Sequence, residues 1–188
     1  ELHAAFGYLP NQFLAESANQ RTDQYGGDHT NRNRFVIEIM HEMCSAIGPD
    51  KVAIRISPTS TYNNIVHQDP KGQFTMLIEA LNHLPLSYVH IMNVPFPADQ
   101  YPQYPANAVE YFGGGSQHPI IANCGFTKET GEAAWVEGTA KMISYGTLFI
   151  ANPDLPKRLE TDAALNQPRP ELFYGKGPVG YTDYPTLA

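Results

Sequence analysis

Short apolar segments alternate with segments of helical periodicity, and this alternation limits the possible folds more than any other feature. The apolar segments span residues 51–56, 87–92, 119–122 and 140–144. They are apolar on both faces, as are strands of a parallel sheet that helices cover. A single stretch of chain separates each apolar segment from the next, and where the periodicity of that stretch is clear it is helical. Repeated strand–helix units of this kind predict a parallel α/β fold.

Three helices are predicted from periodicity and capping. The first spans 34–47 and ends at Gly48, and the second lies within 73–84. The third begins after Thr127, whose hydroxyl is a good N-cap. In the first helix the residues at four-residue spacing are Phe35, Ile39, Met43 and Ile47. Cys44 and Trp135 are expected in the core, and three long stretches are expected to be loops, namely 8–33, 93–116 and 163–188.

Two architectures satisfy the alternation, an open doubly wound sheet and a closed barrel. A doubly wound dinucleotide-binding sheet would carry a glycine-rich fingerprint after its first strand, and none is present. A closed barrel needs eight strands, whereas the chain offers at most five, counting a short one at Glu1-Leu2-His3. The chain is therefore interpreted as a single incomplete domain over 1–188, a barrel with two unpaired edges.

Composition excludes several classes of function. The formal net charge of −7 over 188 residues argues against a nucleic-acid or anionic-membrane surface. No apolar run approaches the ~20 residues that a membrane-spanning helix needs. The two cysteines, Cys44 and Cys124, lie far apart without metal-ligand spacing, which favours reduced thiols in a cytoplasmic protein.

Several long motifs resemble those of the old yellow enzyme family, which includes the 12-oxophytodienoate reductases. In chain order they are Leu2-His3-x-x-x-Gly7-Tyr8-Leu9, Gln12-Phe13-Leu14, Asn19-x-Arg21-Thr22-Asp23-x-Tyr25-Gly26-Gly27, Asn31-Arg32-x-Arg34-Phe35, Arg55-Ile56-Ser57-Pro58, Tyr145-Gly146, Phe149-Ile150-Ala151-Asn152-Pro153-Asp154-Leu155 and Gly180-Tyr181-Thr182-Asp183-Tyr184-Pro185. The resemblance covers essentially the whole chain.

The resemblance implies an α/β fold that is the C-terminal part of a (β/α)8 TIM barrel, starting at about the fourth strand. It further implies FMN as cofactor and NAD(P)H as reductant. The implied reaction is reduction of the C=C bond of a small activated alkene, such as an α,β-unsaturated carbonyl compound. The implied partner is the missing N-terminal half of the barrel.

The resemblance also assigns substrate-facing residues. His3 matches the family's hydrogen-bond donor to the substrate carbonyl, and Tyr8 matches its proton donor. Phe6 departs from the family, which has Asn or His there as a second donor to the same carbonyl. Removing one such donor from comparable sites costs roughly 2.7–4 kcal/mol of transition-state stabilisation. Phe173 and Tyr174 match an aromatic pair near the flavin and the substrate.

Flavin-binding residues are assigned in the same way. Arg55 interrupts an apolar strand, where an arginine needs a partner. In the family the matching arginine lies against the flavin N1–O2 edge. The implied phosphate-binding residues follow two successive strands and are Asn123, Cys124, Gly125, Tyr145, Gly146 and Thr147. Thr147 is a second departure, because arginine is frequent there in the family.

Two other functions remain open. The chain could be a non-catalytic half-barrel that binds phosphate, or a complementary half, without turnover. It could also be another FMN or phosphate-binding barrel with an unrelated reaction. The length of the match from Arg21 to Phe35 disfavours this last interpretation.

Overall fold

The computed structural model describes residues 1–187. The chain divides into two compact units, Glu1–Ile143 and a second that starts at Ser144. Each unit is described by itself, and the expectation of a single domain stays a prediction. None of the helices in residues 1–187 combines the length and the apolar character needed to cross a membrane.

The described residues form one sheet of five strands, in the order of the chain. The strands are β1 (Leu2–Ala4), β2 (Ala53–Ile56), β3 (Tyr88–Met92), β4 (Ile120–Asn123) and β5 (Met142–Ser144). Neighbouring strands from β1 to β4 are parallel. Lys141 N–H donates to the Ile120 carbonyl (2.8 Å) just before β5. The predicted parallel α/β organisation is thus observed.

Helices connect the strands. They are α1 (Leu9–Leu14), α2 (His29–Ile47), α3 (Pro70–Leu81), α4 (Ala108–Gly113), α5 (Lys128–Val136), α6 (Thr147–Ala151) and α7 (Leu155–Glu160), with short 3₁₀ turns at Pro49–Lys51, Tyr62–Asn64 and Pro170–Leu172. Side chains cap three of the longer helices: Asp28 accepts from Asn31 N–H before α2, and Asp69 from Gly72 N–H before α3. Thr127 and Thr130 form a reciprocal capping box at α5.

The core lies between the sheet and the helices of the first unit. On α2 it is built from Val36, Met40 and Cys44, which lie one helical turn apart. The predicted stripe that starts at Phe35 is only partly buried: Phe35, Ile39 and Met43 are half-buried, with Met43 packed against the core, and Ile47 is 51% exposed. Both stripes have the same four-residue spacing, so periodicity could not distinguish them.

Two further expectations were partly wrong. Cys44 is in the core, whereas Trp135 on α5 is 61% exposed. Two of the stretches predicted as loops contain helices, since α1 and the start of α2 lie within 8–33 and α4 lies within 93–116. α1 and α4 have six residues each, which is too short for a clear periodic signal.

Polar contacts hold the second unit together around Arg158. Its buried guanidinium donates to Asp154 Oδ1 (2.7 Å) and to the carbonyls of Ala164 and Pro185. Asp154 Oδ2 also accepts from Leu187 N–H (2.6 Å). These bonds tie the proline-rich tail to α7.

Candidate active site

Three ionisable side chains lie in one row across the first three strands. The parallel register pairs His3 with Arg55 and Arg55 with His90. The next residues along the strands point to the other side of the sheet and are buried against the helices: Ala4, Ile56 and Ile91. Because side chains alternate along a strand, the row lies on the face that the helices do not cover.

The Arg55 guanidinium is hydrogen-bonded at one nitrogen and has no hydrogen bond at another. Nη2 donates to Asn123 Oδ1 at the end of β4 (2.9 Å), whereas the buried Nε has no hydrogen-bond partner within the described chain. A buried N–H without a partner is unfavourable, and such atoms are usually explained by water or a bound group. The side chain thus presents positive charge and a free donor at this face of the sheet.

The backbone after β4 turns sharply beside Arg55. Cys124 and Gly125 have φ values of 79° and 75°, in the left-handed region. A Cβ added at Gly125 would meet no atom within 4 Å, so the backbone there borders open space. The Cys124 thiol donates to Asn123 Oδ1 (3.2 Å). Open backbone next to a cation suits an anionic or electron-rich group.

A tight turn after β1 brings Tyr8 back toward His3. Tyr8 N–H donates to the Ala5 carbonyl (3.2 Å), and Gly7 N–H donates to Asn11 Oδ1 (2.8 Å). The rings of His3 and Tyr8 have centroids 5.3 Å apart. Both side chains are exposed, with 52% of Tyr8 accessible. The two predicted catalytic residues are therefore adjacent and open to a ligand.

Phe6 packs against the segment that follows β2. Its ring meets Tyr62 edge-on, with centroids 5.7 Å apart. Its N–H donates to Ser57 Oγ and its carbonyl accepts from Asn63 Nδ2, each at 2.9 Å. Phe6 has a φ of 55°, a conformation that is unfavourable for a bulky residue. The position that carries a second donor in the family thus carries an apolar ring.

Loss of solvation and the charge of Arg55 disfavour protonation of both histidines of the row. The protein atoms around the exposed His3 ring remove part of its solvation and, followed by Arg55, lower its pKa below the usual 6.5, although Glu1 opposes the shift. Burial also lowers the pKa of His90, while Glu1 opposes it through a contact of 3.0 Å to Nδ1. A neutral imidazole still donates one N–H, so His3 can bind a carbonyl oxygen without carrying a charge.

The remaining predicted site residues belong to the second unit. Tyr145 and Gly146 precede α6, and Thr147 is its first residue. Phe173 is half-buried after a 3₁₀ turn, whereas Tyr174 is 97% exposed with a φ of 61°. Their convergence with the residues of the first unit stays a prediction.

Sequence reasoning missed His90, Glu1 and Tyr62. His90 lies two residues inside an apolar strand, as Arg55 does, and the same signal could have identified it. Glu1 is two residues before His3 and so belongs to the same face of β1. Tyr62 could not have been found, because its contact with Phe6 joins residues 56 positions apart through loop geometry.

The family of the chain follows from this fold and site together with similarity to known proteins. Residues 1–166 match the NADH:flavin oxidoreductase / NADH oxidase family, and the chain belongs to it. It is 38% identical to 12-oxophytodienoate reductase 2 of Arabidopsis thaliana, covering 100% of this chain and 50% of that protein. It is 39% identical to putative 12-oxophytodienoate reductase 6 of Oryza sativa subsp. japonica, covering 100% of this chain and 48% of that protein.

Solved structures give the same result. The old yellow enzyme from Trypanosoma cruzi superimposes with a TM-score of 0.92 at 31% identity, over 99% of this chain and 49% of that one. Morphinone reductase superimposes with a TM-score of 0.90 at 37% identity, over 98% and 49%. The predicted resemblance and the partial TIM barrel are thus confirmed. FMN and a reduced nicotinamide are the cofactors of this family. The chain spans about half the length of the curated relatives it matches.

Proposed function

We propose that the chain is the C-terminal half of an FMN-dependent oxidoreductase that reduces the C=C bond of activated alkenes with NAD(P)H. The observation that carries this proposal is the arrangement of three side chains on one face of the sheet. His3 and Arg55 are register partners on β1 and β2, and Tyr8 lies beside His3. In this set His3 can donate a hydrogen bond to a carbonyl oxygen, Arg55 supplies a fixed positive charge and Tyr8 can donate a proton.

The residues present fit FMN. Arg55 would hold the N1–O2 edge of the flavin, because its unbonded Nε and its charge favour an electron-rich group. Asn123, Cys124 and Gly125 would hold part of the phosphate through open backbone. We propose that Tyr145, Gly146 and Thr147 hold the rest, with the Thr147 hydroxyl replacing a charged donor. When bound, FMN supplies the hydride that the alkene β-carbon receives.

His3 and Tyr8 have separate tasks in the proposed reaction. Neutral His3 donates to the carbonyl oxygen and draws electrons away from the alkene. Tyr8 delivers a proton to the α-carbon, and its exposure lets water restore that proton. Phe6 donates nothing, so the carbonyl loses one hydrogen bond. Phe173 and Tyr174 are proposed to contact the substrate.

The substrate class is proposed from the same residues and from the relatives. The latter are named as reductases of 12-oxophytodienoate and of morphinone, both small molecules. We propose a small α,β-unsaturated carbonyl compound or a similar activated alkene. A cytoplasmic location is proposed on the two free cysteines.

Turnover is proposed to require a complementary N-terminal half. The five-stranded sheet leaves β1 and β5 with one neighbour each, whereas a closed barrel of this type has eight strands. The same observation supports a second function, a half-barrel that binds phosphate or its complementary half without turnover.

The test is size exclusion of the purified chain with FMN, with flavin absorbance recorded across the protein peak. The chain alone is expected to bind FMN weakly or not at all and to show no turnover. Addition of the N-terminal half of 12-oxophytodienoate reductase 2 is expected to restore flavin co-elution and NADPH-dependent reduction of 2-cyclohexenone.

Arg55→Met is expected to abolish flavin co-elution in the mixture, and Lys51→Met, at the exposed start of the same segment, is the control. A mixture that assembles but binds no FMN contradicts the proposal. Bound FMN without any NADPH oxidation supports the non-catalytic alternative.

A further inference from the structure

His67 lies where three segments of the first unit meet. Its N–H donates to Tyr104 Oη and its carbonyl accepts from Gln103 Nε2, each at 3.1 Å. Both partners belong to the loop after β3. The preceding Val66 N–H donates to Ser17 Oγ (2.7 Å), in the segment after α1. His67 therefore joins the segments that follow the first three strands.

The imidazole of His67 is fully buried without a hydrogen bond. Neither Nδ1 nor Nε2 has a hydrogen-bond partner in the described chain, and the Phe74 ring packs against it with centroids 4.9 Å apart. The nearby Arg32 Nε is also buried without a hydrogen bond. Unpaired buried nitrogens are unfavourable and few in native proteins. The ring is therefore held by packing, without a hydrogen bond of its own.

A single carboxylate balances the basic groups around this ring. Glu16 Oε1 lies 3.8 Å from Arg32 Nη1 and 3.9 Å from His29 Nε2. Its Oε2 lies 3.8 Å from His67 Nδ1 and accepts from Gln68 N–H (3.2 Å). The Glu16 carboxylate thus faces three basic groups, and none of their nitrogens is within hydrogen-bonding distance of it.

Two other ionisable groups, Asp69 and Tyr104, lie beside this cluster. Asp69 Oδ2 lies 3.8 Å from His29 Nε2, so a second carboxylate faces that histidine, whereas Glu16 faces Arg32 and His67 as well. The Tyr104 hydroxyl accepts from the His67 backbone and carries no charge at neutral pH. A bound metal ion does not explain the cluster, because no group of acidic, histidine or cysteine side chains in residues 1–187 could hold one.

We propose that Glu16, His29, Arg32 and His67 form an acid-sensitive latch that holds three segments together, 15–19, 62–69 and 97–104. Protonation of the fully buried His67 imidazole puts a second cation near Arg32 where solvent does not reach the ring, and the segments separate so that the ring becomes solvated. Asn63, in the second segment, donates to the Phe6 carbonyl. Separation of the segments therefore also displaces a contact of Phe6, which lies beside the candidate active site.

The direction of the effect follows from proton linkage. Burial, followed by the charges of Arg32 and His29, lowers the pKa of His67 from 6.5 to about 3. In the released form the ring is solvated and has its ordinary proton affinity. The released form therefore binds more protons between these two pH values. Its population relative to the closed form rises about tenfold for each pH unit of acidification.

Amide hydrogen exchange, corrected for intrinsic rates, tests the latch on the purified chain between pH 7.5 and pH 5. In the three segments, protection is expected to fall about tenfold or more, while the core amides of Met40 and Leu77 keep theirs. His67→Gln keeps a polar side chain but cannot take a proton, and it is expected to remove this pH dependence. His118→Gln, at the C-terminal end of α3 where the ring contacts the Leu81 carbonyl, is the control.

NMR titration of the wild-type imidazoles keeps the test valid if His67→Gln does not fold. The His67 ring is expected to stay neutral in the closed form and to gain its proton only together with the amide changes in the three segments. Protection that does not depend on pH would overturn the proposal. A His67 ring that titrates near pH 6.5 while the segments stay closed would also overturn it.

Discussion

Arg55 on β2 reaches past β3 to Asn123 at the end of β4, and its Nη2 donates to Asn123 Oδ1 at 2.9 Å. The Cys124 thiol donates to the same oxygen at 3.2 Å. One amide oxygen therefore fixes the guanidinium and the start of the turn that borders open space. This contact connects the two parts of the proposed flavin site within the first unit.

Asn123→Ala is expected to lower the free energy of unfolding by about 1 kcal/mol, because Arg55 loses its acceptor. A hydrogen bond to a charged group contributes about 1.5–3 kcal/mol when buried, and partial exposure of Arg55 reduces this value. Asn123→Asp supplies another acceptor and is expected to keep the stability. The added negative charge is also expected to weaken FMN binding roughly tenfold. Urea denaturation of the chain measures the first effect, and flavin titration of the complemented protein measures the second. Equal stability of the two variants contradicts the first expectation.

Gly7→Ala is expected to destabilise the protein by about 3 kcal/mol, through strain and overlap. Gly7 has a φ of 73°, and an added Cβ would lie 2.7 Å from Asn63 Cβ. Gly138→Ala is the matched control, because its φ is 78° and its Cβ would meet no atom within 4 Å. The control is expected to lose only about 1 kcal/mol. Thermal denaturation of both variants separates the cost of backbone strain from the cost of atomic overlap. Equal losses of stability would show that overlap with Asn63 contributes nothing.

The contrast between strands and loops shows how much the sequence predicts. The buried strands and α5 were predictable, because apolar runs and a capping threonine are local signals. Arg55 was predictable because a charge in an apolar strand needs a functional or structural reason. Contacts such as Phe6 with Tyr62 depend on how two loops fold over the strand ends, and no local pattern encodes that. The inward face of α2 was not predictable either, since both of its stripes are apolar.

Phe6→Asn is expected to raise enone turnover in the FMN-containing, complemented protein by roughly tenfold to a hundredfold. Asparagine restores a donor, and it tolerates the observed φ of 55° better than phenylalanine does. Phe6→Ala is the control, because it removes the contact with Tyr62 without adding a donor. The ratio of kcat/KM between the two variants for 2-cyclohexenone is the measurement. Similar values for both would show that Phe6 does not occupy a donor position.

Arg158→Ala is expected to release the tail of the second unit, residues 161–187, because one guanidinium binds Asp154 and the carbonyls of Ala164 and Pro185. Limited chymotrypsin digestion at neutral pH is expected to cleave this tail much faster in the variant. Lys157→Ala is the matched control, since Lys157 is exposed and pairs only with Glu160 within the described residues. Equal cleavage rates in the variant and the control would show that Arg158 does not hold the tail in place.

The same anchor is expected to fail in acid. The Leu187 N–H, and then Arg158, hold the pKa of Asp154 below its usual 3.8. Because the folded carboxylate binds its proton less readily than the unfolded one, its contribution is complete above pH 3.8 and is lost as pH falls through the lower folded value. Amide exchange at Leu187 is therefore expected to accelerate below pH 3.8 relative to its intrinsic rate. In Asp154→Asn, which has no titratable group there, that acceleration should be absent, and its persistence would assign the acid sensitivity to another carboxylate.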